Sequence, residues 1–240
     1  MNELKHQIIG HDMQAVEILL APGQTIVAEA GSMVYMEDGI TFAARMGDGT
    51  EPADAGLMST LWSAAKRSVS GAGVFLTHFT NGASVPRRVV FGASSPGKVL
   101  KLDLTQWGGA ILCEHGSFLC VTQGTRVNSA FAQKLRAGAF GGAGFVLQKI
   151  EGNGTLFAHA CGSVIERTLN NEVLRVEPGA LVAFSTTLEY SIERAGNLKT
   201  MLFGGEGVFL ATLRGTGTVI LQSLPWSRVV HHIAEQAAAK

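Results

Sequence analysis

The sequence contains few charged residues and no excess of either sign. Charged residues make up 16% of the 240-residue chain, against about 25% in an average soluble domain. Lys plus Arg and Asp plus Glu both number 19, so the chain lacks the basic excess that nucleic-acid-binding proteins use to neutralise phosphates. So few charges cover the surface of a monomer poorly, which predicts that the chain buries part of its surface against copies of itself.

Cysteines and long apolar runs are also scarce. The three cysteines, Cys113, Cys120 and Cys161, are an odd number without the spacing of a disulfide scaffold. The first residues show neither a secretory nor a transit pattern. No apolar run approaches the roughly 20 residues that a membrane span needs. We therefore expect a reducing, cytoplasmic location.

Glycine is abundant, with 30 residues, and its placement indicates an internal repeat. Gly-x-Gly followed by apolar residues begins at Gly71, Gly142 and Gly205. Pro-Gly precedes strand-like runs at Pro22, Pro96 and Pro178. This dipeptide is a turn signal, because proline fixes its own φ and the glycine after it can adopt a positive φ. Another marker, Gly-Ser, occurs in the first two repeats, at Gly31 and Gly116, and is absent from the last repeat.

These markers predict three small β units packed about a pseudo-threefold axis. The approximate repeats span 13–92, 93–170 and 171–224 of a single β-rich domain that covers 1–240. Alternating apolar residues, as at Val16, Ile18 and Leu20, predict half-buried strands. The glycine pairs at 152–155 and 215–218 predict hairpin turns. The fold class is therefore mainly β, a sandwich or a jelly-roll-like barrel.

Two or three short helices complete the prediction. Residues 53–69 carry an apolar stripe with Trp62 among the hydrophobic residues. The part at 57–69 is interpreted as a cap over the β domain or as a docking surface, and its two basic residues favour the cap. A helix is also predicted at residues 128–136, with Asn128 or Ser129 as its N-cap. The last helix, at 225–240, is predicted to begin after Pro225 with Ser227 as its cap.

Several glycine-rich runs resemble a known family. They are APGQTIVAEAGSMVYMEDGI, SSPGKVLKLDL with EHGSFLC, and FGGEGVFLATLRGTGTVILQS. They resemble the bacterial branch of the altered-inheritance-of-mitochondria (mitochondrial biogenesis) family, formerly a domain of unknown function. The resemblance implies a fold like that of the tryptophan RNA-binding attenuation protein. That fold is a double-stranded β-helix or β-sandwich unit, repeated along the chain and assembled into trimers or rings. The resemblance implies no catalytic residues.

Four possible sites were weighed on their residues. The Gly-x-Gly motifs precede strands and not helices, which disfavours a phosphate loop. Two pairs, Cys113 with His115 and His159 with Cys161, would form a tetrahedral zinc site if their strands paired, although the spacing is not a zinc signature. No nucleophile motif occurs. The acidic group Asp48, Glu51 and Asp54 is interpreted as a solvated loop.

The sequence therefore predicts a non-enzymatic, homo-oligomeric scaffold or assembly protein, with no catalytic, cofactor or metal residue assigned. Its expected partners are copies of itself, in a trimer or larger ring, and a second protein whose identity the sequence does not give. Nucleic acid and membrane are not expected partners. The alternative is a small-ligand or RNA-binding ring, by analogy with the fold relative.

Overall fold

The computed structural model describes residues 4–46, 74–133, 145–194 and 209–238. In these ranges the chain folds almost entirely into strands, which confirms the mainly β class. The strands are β1 Lys5–Ile9, β2 Ala15–Leu20, β3 Thr25–Ala28, β4 Met33–Met36, β5 Ile40–Met46, β6 Phe75–Asn81, β7 Arg87–Gly92, β8 Gly97–Asp103, β9 Ala110–Glu114, β10 Phe118–Thr122, β11 Arg126–Gln133, β12 Phe145–Glu151, β13 Thr155–Cys161, β14 Val164–Val176, β15 Leu181–Ser185, β16 Glu189–Arg194 and β17 Phe209–Gln222. Short 3-10 turns span Leu104–Trp107, His115–Ser117 and Pro178–Ala180, and helix α1 spans Trp226–Ala238.

The strands form three antiparallel sheets. The first sheet has the order β1-β2-β7-β4, and the second has the order β5-β6-β3-β10-β13-β8. The third has the order β11-β12-β9-β15-β17-β14, with β16 paired to the first half of the long strand β17. The second and third sheets each join strands from distant parts of the sequence, through the ladders β3–β10 and β9–β15.

Three apolar cores hold the sheets together. One is built mainly from β1 to β7, one mainly from β8 to β13, and one mainly from β14 to β17. The largest side chains without solvent exposure include Phe91, Phe145, Phe157 and Phe184. Complete burial of such a side chain contributes about 1.5–3 kcal/mol. Within the described ranges, the buried apolar side chains thus form three clusters.

The predicted alternation of apolar residues is confirmed in β2. Val16, Ile18 and Leu20 are completely buried, and the residues between them are half-buried. This follows from strand geometry, in which successive side chains point to opposite faces. The strands predicted after Pro-Gly are also present, as β3, β8 and β15. They do not hold one repeated position, because β3 and β15 are internal strands and β8 ends its sheet.

Three ladders share one register. In each, a strand that follows a Gly-x-Gly motif pairs with an earlier strand: β6 with β3, β12 with β9, and β17 with β14. The residues at the same distance beyond the first glycine of each motif are Thr77, Gln148 and Ala211. They face, respectively, Ala28, Cys113 and Val176. The glycines of the motifs themselves lie outside the described residues.

The helix predicted at 128–136 is wrong where the structure describes it. Residues 126–133 form β11, which pairs with β12 along its length with one irregularity after Ser129. Val127 is completely buried in the second core. Local propensity favoured a helix, but the ladder satisfies the backbone groups and buries the valine, and tertiary pairing of this kind overrides propensity.

The hairpin turns predicted at the two glycine pairs are also wrong. Residues 152–154 connect β12 to β13, which lie in different sheets, so this turn is a corner between sheets. Residues 215–218 lie inside β17. Gly215 has φ of 121°, opposite an irregularity in β14 between Leu169 and Glu172. A glycine inside a strand is typical of such a bulge.

Helix α1 confirms the predicted C-terminal helix. It begins directly after Pro225, and Ser227 is its second residue and therefore not its cap. The helix predicted at 53–69, with Trp62, lies outside the described residues, as does the acidic group at 48–54. Among the residues that the structure describes, no helix has the length and apolar character of a membrane span.

Replacing Gly97 with Ala should lower the free energy of unfolding by about 2–3 kcal/mol, because added bulk in a tight position forces the backbone to shift. A β-carbon at Gly97 would overlap the carbonyl of Ala160 and the imidazole of His159 on the neighbouring strand. The control is Gly82→Ala, since a β-carbon there meets only ordinary contact distances. Urea unfolding measures both variants, and equal stability of the two would contradict this account of β8.

Candidate functional site

The four residues considered for zinc do not come together. Cys113 lies on β9 and Cys161 on β13, and these strands do not pair: β9 pairs with β12 and β15, and β13 with β8 and β10. His159 Nδ1 lies 4.0 Å from Cys161 Sγ, whereas His115 Nδ1 lies 2.9 Å from Gln148 Nε2. Within the described ranges, no group of three or more His, Cys, Asp and Glu side chains is placed to hold a metal ion.

The three thiols are buried and free. Burial raises the pKa of each of them above its ordinary value. At Cys161 a hydrogen bond with Ser95 Oγ, at 3.1 Å, opposes this effect without reversing it. The thiols therefore remain protonated at neutral pH, and a protonated thiol is a weak nucleophile.

A turn with one sequence pattern occurs three times between successive strands. The sequences are Ala-Glu-Ala-Gly-Ser-Met at 28–33, Cys-Glu-His-Gly-Ser-Phe at 113–118, and Val-Glu-Pro-Gly-Ala-Leu at 176–181. We call them the Glu turns, after Glu29, Glu114 and Glu177. They join β3 to β4, β9 to β10 and β14 to β15.

The Glu turns have two backbone types. The second and third are 3-10 turns without a positive φ at Gly116 or Gly179, whereas in the first turn Gly31 has φ of 84°. The N–H of Ser32 donates to the carbonyl of Glu29 at 3.2 Å, and the N–H of Ala180 donates to the carbonyl of Glu177 at 2.9 Å. Glu114 has φ and ψ of −66° and 136°, and Glu177 has −62° and 128°. Gly-Ser marked the first two turns in the sequence and Pro-Gly marked the third, but the shared glutamates, and with them the equivalence of the three turns, were missed. The missed signal was spacing, because Glu114 and Glu177 lie at the same distance before Gly142 and Gly205.

The first two Glu turns meet through ionisable side chains. Glu29 Oε2 is buried, has no hydrogen-bond partner among the described residues, and lies 4.0 Å from His115 Nδ1. Burial raises the pKa of Glu29, although His115 and the N–H of Ala30 oppose this. Burial likewise raises the pKa of Glu114, against the N–H of Gly116 and the other groups of its own turn. The two carboxyl groups are thus costly to ionise.

The third Glu turn has a different partner. Glu177 forms an ion pair with Arg228 of helix α1. This contact attaches the C-terminal helix to the turn between β14 and β15. The helix also exposes apolar side chains on one stripe, Trp226, Val230 and Ile233, which are 39–58% exposed.

Strand β4 exposes apolar side chains. Met33, Val34 and Tyr35 are 37%, 62% and 46% exposed. The strands that follow the other two Glu turns are buried, with exposures of at most 3% for Phe118, Leu119 and Cys120 in β10 and for Leu181, Val182 and Ala183 in β15. A neighbouring strand covers β10 and β15 on the side where β4, among the described residues, has no ladder.

Strand β14 is also an open edge. It ends the third sheet and pairs only with β17 within the described part of the chain. In its second half, residues 172–176, Val173 is 49% exposed and Leu174 is half-buried. We call β4 and this second half of β14 the two open edges. An open edge presents unpaired N–H and C=O groups and is a template for pairing with another strand.

Arg88, in the basic pair Arg87-Arg88, is not a free cation. Arg88 forms ion pairs with Glu17 at 3.3 Å and Glu37 at 3.2 Å. Tyr35 donates to Glu17 Oε2 at 3.1 Å. These contacts fasten β4 to β7 and β2 on the outer face of the first sheet, and they neutralise Arg88.

The fold is shared with a solved bacterial structure. The crystal structure of protein SPYM3_0169 from Streptococcus pyogenes is similar with a TM-score of 0.77, covering 98% of this chain and 100% of that chain. Its sequence is 23% identical. The two chains therefore have the same overall fold.

The family follows from the sequence match over most of the chain. Residues 6–224 match the family described as Mitochondrial biogenesis AIM24, and the chain belongs to this family, as the glycine-rich runs predicted. The chain is also 28% identical over 211 residues to the uncharacterized protein M6_Spy0233 of Streptococcus pyogenes serotype M6, covering 87% of this chain and 81% of the relative.

Replacing Glu29 with Gln should stabilise the protein at neutral pH, and this gain should fade as the pH falls through the ordinary carboxyl range. The folded protein holds the proton of Glu29 more tightly than the unfolded chain, so ionisation above the ordinary pKa costs stability. That cost is absent below the ordinary pKa and complete above the raised pKa of the folded state.

The matched control is Glu37→Gln, which should behave in the opposite way. The N–H and the guanidinium of Arg88 lower the pKa of Glu37 in the folded protein. Its carboxylate therefore stabilises the fold above the ordinary pKa, and the substitution should destabilise most at neutral pH. Urea unfolding between about pH 4 and 8 measures both variants. Parallel pH trends would contradict the assignment of these two carboxyl groups.

Proposed function

We propose that the protein is a non-enzymatic, homo-oligomeric scaffold whose chain contains three successive copies of one β unit. The first unit comprises β1–β7, the second β8–β13, and the third β14–β17. The boundary predicted at residues 170 and 171 falls inside β14, so the third unit is taken to begin at Val164.

The pairing pattern supports the repeat. In the first unit β7 pairs with β2 and β4, and in the second β13 pairs with β8 and β10. In the third unit the second half of β17 pairs with β14 and β15 in the same way. The third unit differs in that β17 is continuous where the others have two strands, β6 and β7 or β12 and β13.

A shared irregularity also supports the repeat. The first strand after each Glu turn shifts its register by one residue at the same place. The shift lies between Met33 and Tyr35 in β4, between Phe118 and Cys120 in β10, and between Leu181 and Ala183 in β15. Bulges have specific backbone requirements, so three at one position favour three copies of one unit over a chance likeness.

Successive units are joined by equivalent ladders. Between the first and second units Cys120 faces Ala28, and between the second and third Ala183 faces Cys113. A closed pseudo-threefold arrangement would add a third ladder between β14 and β4. None occurs among the ladders of the described residues, so closure within one chain remains a prediction.

The exposure of β4 is the observation that carries the proposed self-assembly. Met33, Val34 and Tyr35 stand where the other two units have buried residues. An exposed apolar edge strand is a liability unless something covers it. The low charge content of the chain points the same way. Three free, buried cysteines support the cytoplasm as the location.

The alternative of an RNA-binding ring has less support. Phosphate binding depends on free Lys and Arg side chains. Arg88 is engaged by Glu17 and Glu37, and the chain has no net positive charge.

The purified protein should be larger than its monomer in solution. Light scattering coupled to size exclusion should give a mass of at least twice the 25.3 kDa of one chain. The measurement is repeated over about a hundredfold range of concentration, because association follows mass action. A monodisperse species of one chain at every concentration would overturn the proposed self-assembly.

A further inference from the structure

We infer that the two open edges pair with each other between two copies of the chain, so that β14 of one copy adds to β4 of the next. This inference rests on the proposed function and names its interface. Each ladder between units joins one unit to the unit that follows it. Among the described residues β14 and β4 of one chain form no ladder, so the unit that follows the third is the first unit of a second copy.

The two junctions within the chain fix the register of this third one. In β10 and β15, the residues two positions after the start of the strand are Cys120 and Ala183, and they face Ala28 and Cys113. The equivalent residue of β4 is Tyr35, and the equivalent residue of β14 is Val176. Tyr35 of one copy therefore faces Val176 of the other, Met36 faces Arg175, and Glu37 faces Leu174.

The hydrogen bonds of the β3–β10 junction show which facing residues form hydrogen-bonded pairs and which form non-hydrogen-bonded pairs. The N–H of Glu29 donates to the carbonyl of Leu119 at 3.0 Å, which makes these two residues a hydrogen-bonded pair. Pairs alternate along an antiparallel ladder, so Ala28 with Cys120 is a non-hydrogen-bonded pair, in which the side chains lie closest together. Tyr35 and Val176 occupy the same kind of pair. Their β-carbons are then at a separation that a disulfide can bridge.

The existing junctions, β3–β10 and β9–β15, show how much apolar surface the pairing of β14 with β4 would bury. Wherever a neighbouring unit covers this strand, the three apolar residues after the Glu turn are at most 3% exposed, and in β4 they are 37–62% exposed. Two copies related by a twofold axis form the junction twice, with each β14 on the other copy's β4. This arrangement leaves neither edge open in either chain.

Cysteine pairing tests the register and the source of the partner strand. The double variant Tyr35→Cys with Val176→Cys is oxidised and run without reductant. The expected product is a covalent species of two chains. The native cysteines are buried, so the parent protein, oxidised in the same way, is the blank.

Co-expression of the two single variants separates the possible outcomes. A disulfide-linked pair of one Tyr35→Cys chain and one Val176→Cys chain supports the inference, since neither chain can close on itself. A double variant that gives only a shifted single-chain band, with no linked pair from the single variants, shows closure within the chain and overturns it. Absence of any disulfide also overturns it.

The matched control for position is Tyr35→Cys with Val173→Cys. Val173 is exposed and on the same strand, but an odd number of residues from Val176, so its side chain points to the other face. This pair should give no linked chains. Linkage equal to that of the Val176→Cys pair would indicate random collision and would overturn the register.

A charged residue on the open edge of β4 tests the same interface without forming a covalent bond. Val34→Lys should shift the light-scattering mass from the assembly to one chain, since an edge lysine blocks strand addition. Val85→Lys is the control, because Val85 is similarly exposed at 48% and lies between β6 and β7.

Both variants should keep the circular dichroism spectrum of the folded parent, which separates loss of the interface from unfolding. If Val34→Lys does not fold, the cysteine pairing decides. An assembly that persists in Val34→Lys would overturn this interface while leaving the proposed self-assembly intact. A parent protein that is itself one chain removes the proposed self-assembly, and the interface with it.

Discussion

Backbone hydrogen bonding at strand edges is the constraint on which the rest of this structure depends. A buried N–H or C=O group needs a partner, and here the second and third sheets supply it by pairing strands from distant parts of the chain. The ladders β3–β10 and β9–β15 carry this pairing. The cores follow the same rule, since Val27 of β3 and Leu76 of β6 lie in the core built mainly from β8 to β13. Phe145 and Leu147 of β12 lie in the core built mainly from β14 to β17.

Much of the fold could be predicted because strand periodicity is local. Val16, Ile18 and Leu20 showed their common face by spacing, and the Gly-x-Gly motifs indicated the start of β6, β12 and β17. The errors arose where distant pairing decided the outcome. Residues 126–133 became a strand because β12 lies beside them. Gly215 and Gly217 lie within β17, because glycine serves inside a strand as well as at its end.

The candidate interface was less predictable than the fold. Met33, Val34 and Tyr35 have the composition of a buried strand, and nothing local in their sequence distinguishes them from the residues of β10. Their exposure depends on whether another strand lies alongside, which is a property of the whole chain. The Glu turns were hidden for a different reason: their neighbours differ, with Ala30, His115 and Pro178 at the third position of the pattern. Strand register identified them as equivalent.

The shared register at the junctions also bears on how such a molecule changes in size during evolution. A unit duplicated in tandem between β13 and β14 would meet strands already matched to it on both sides. If the chain is built from three copies of one unit, as proposed, its length could grow in whole units by gene duplication, with no new contact surface to be selected.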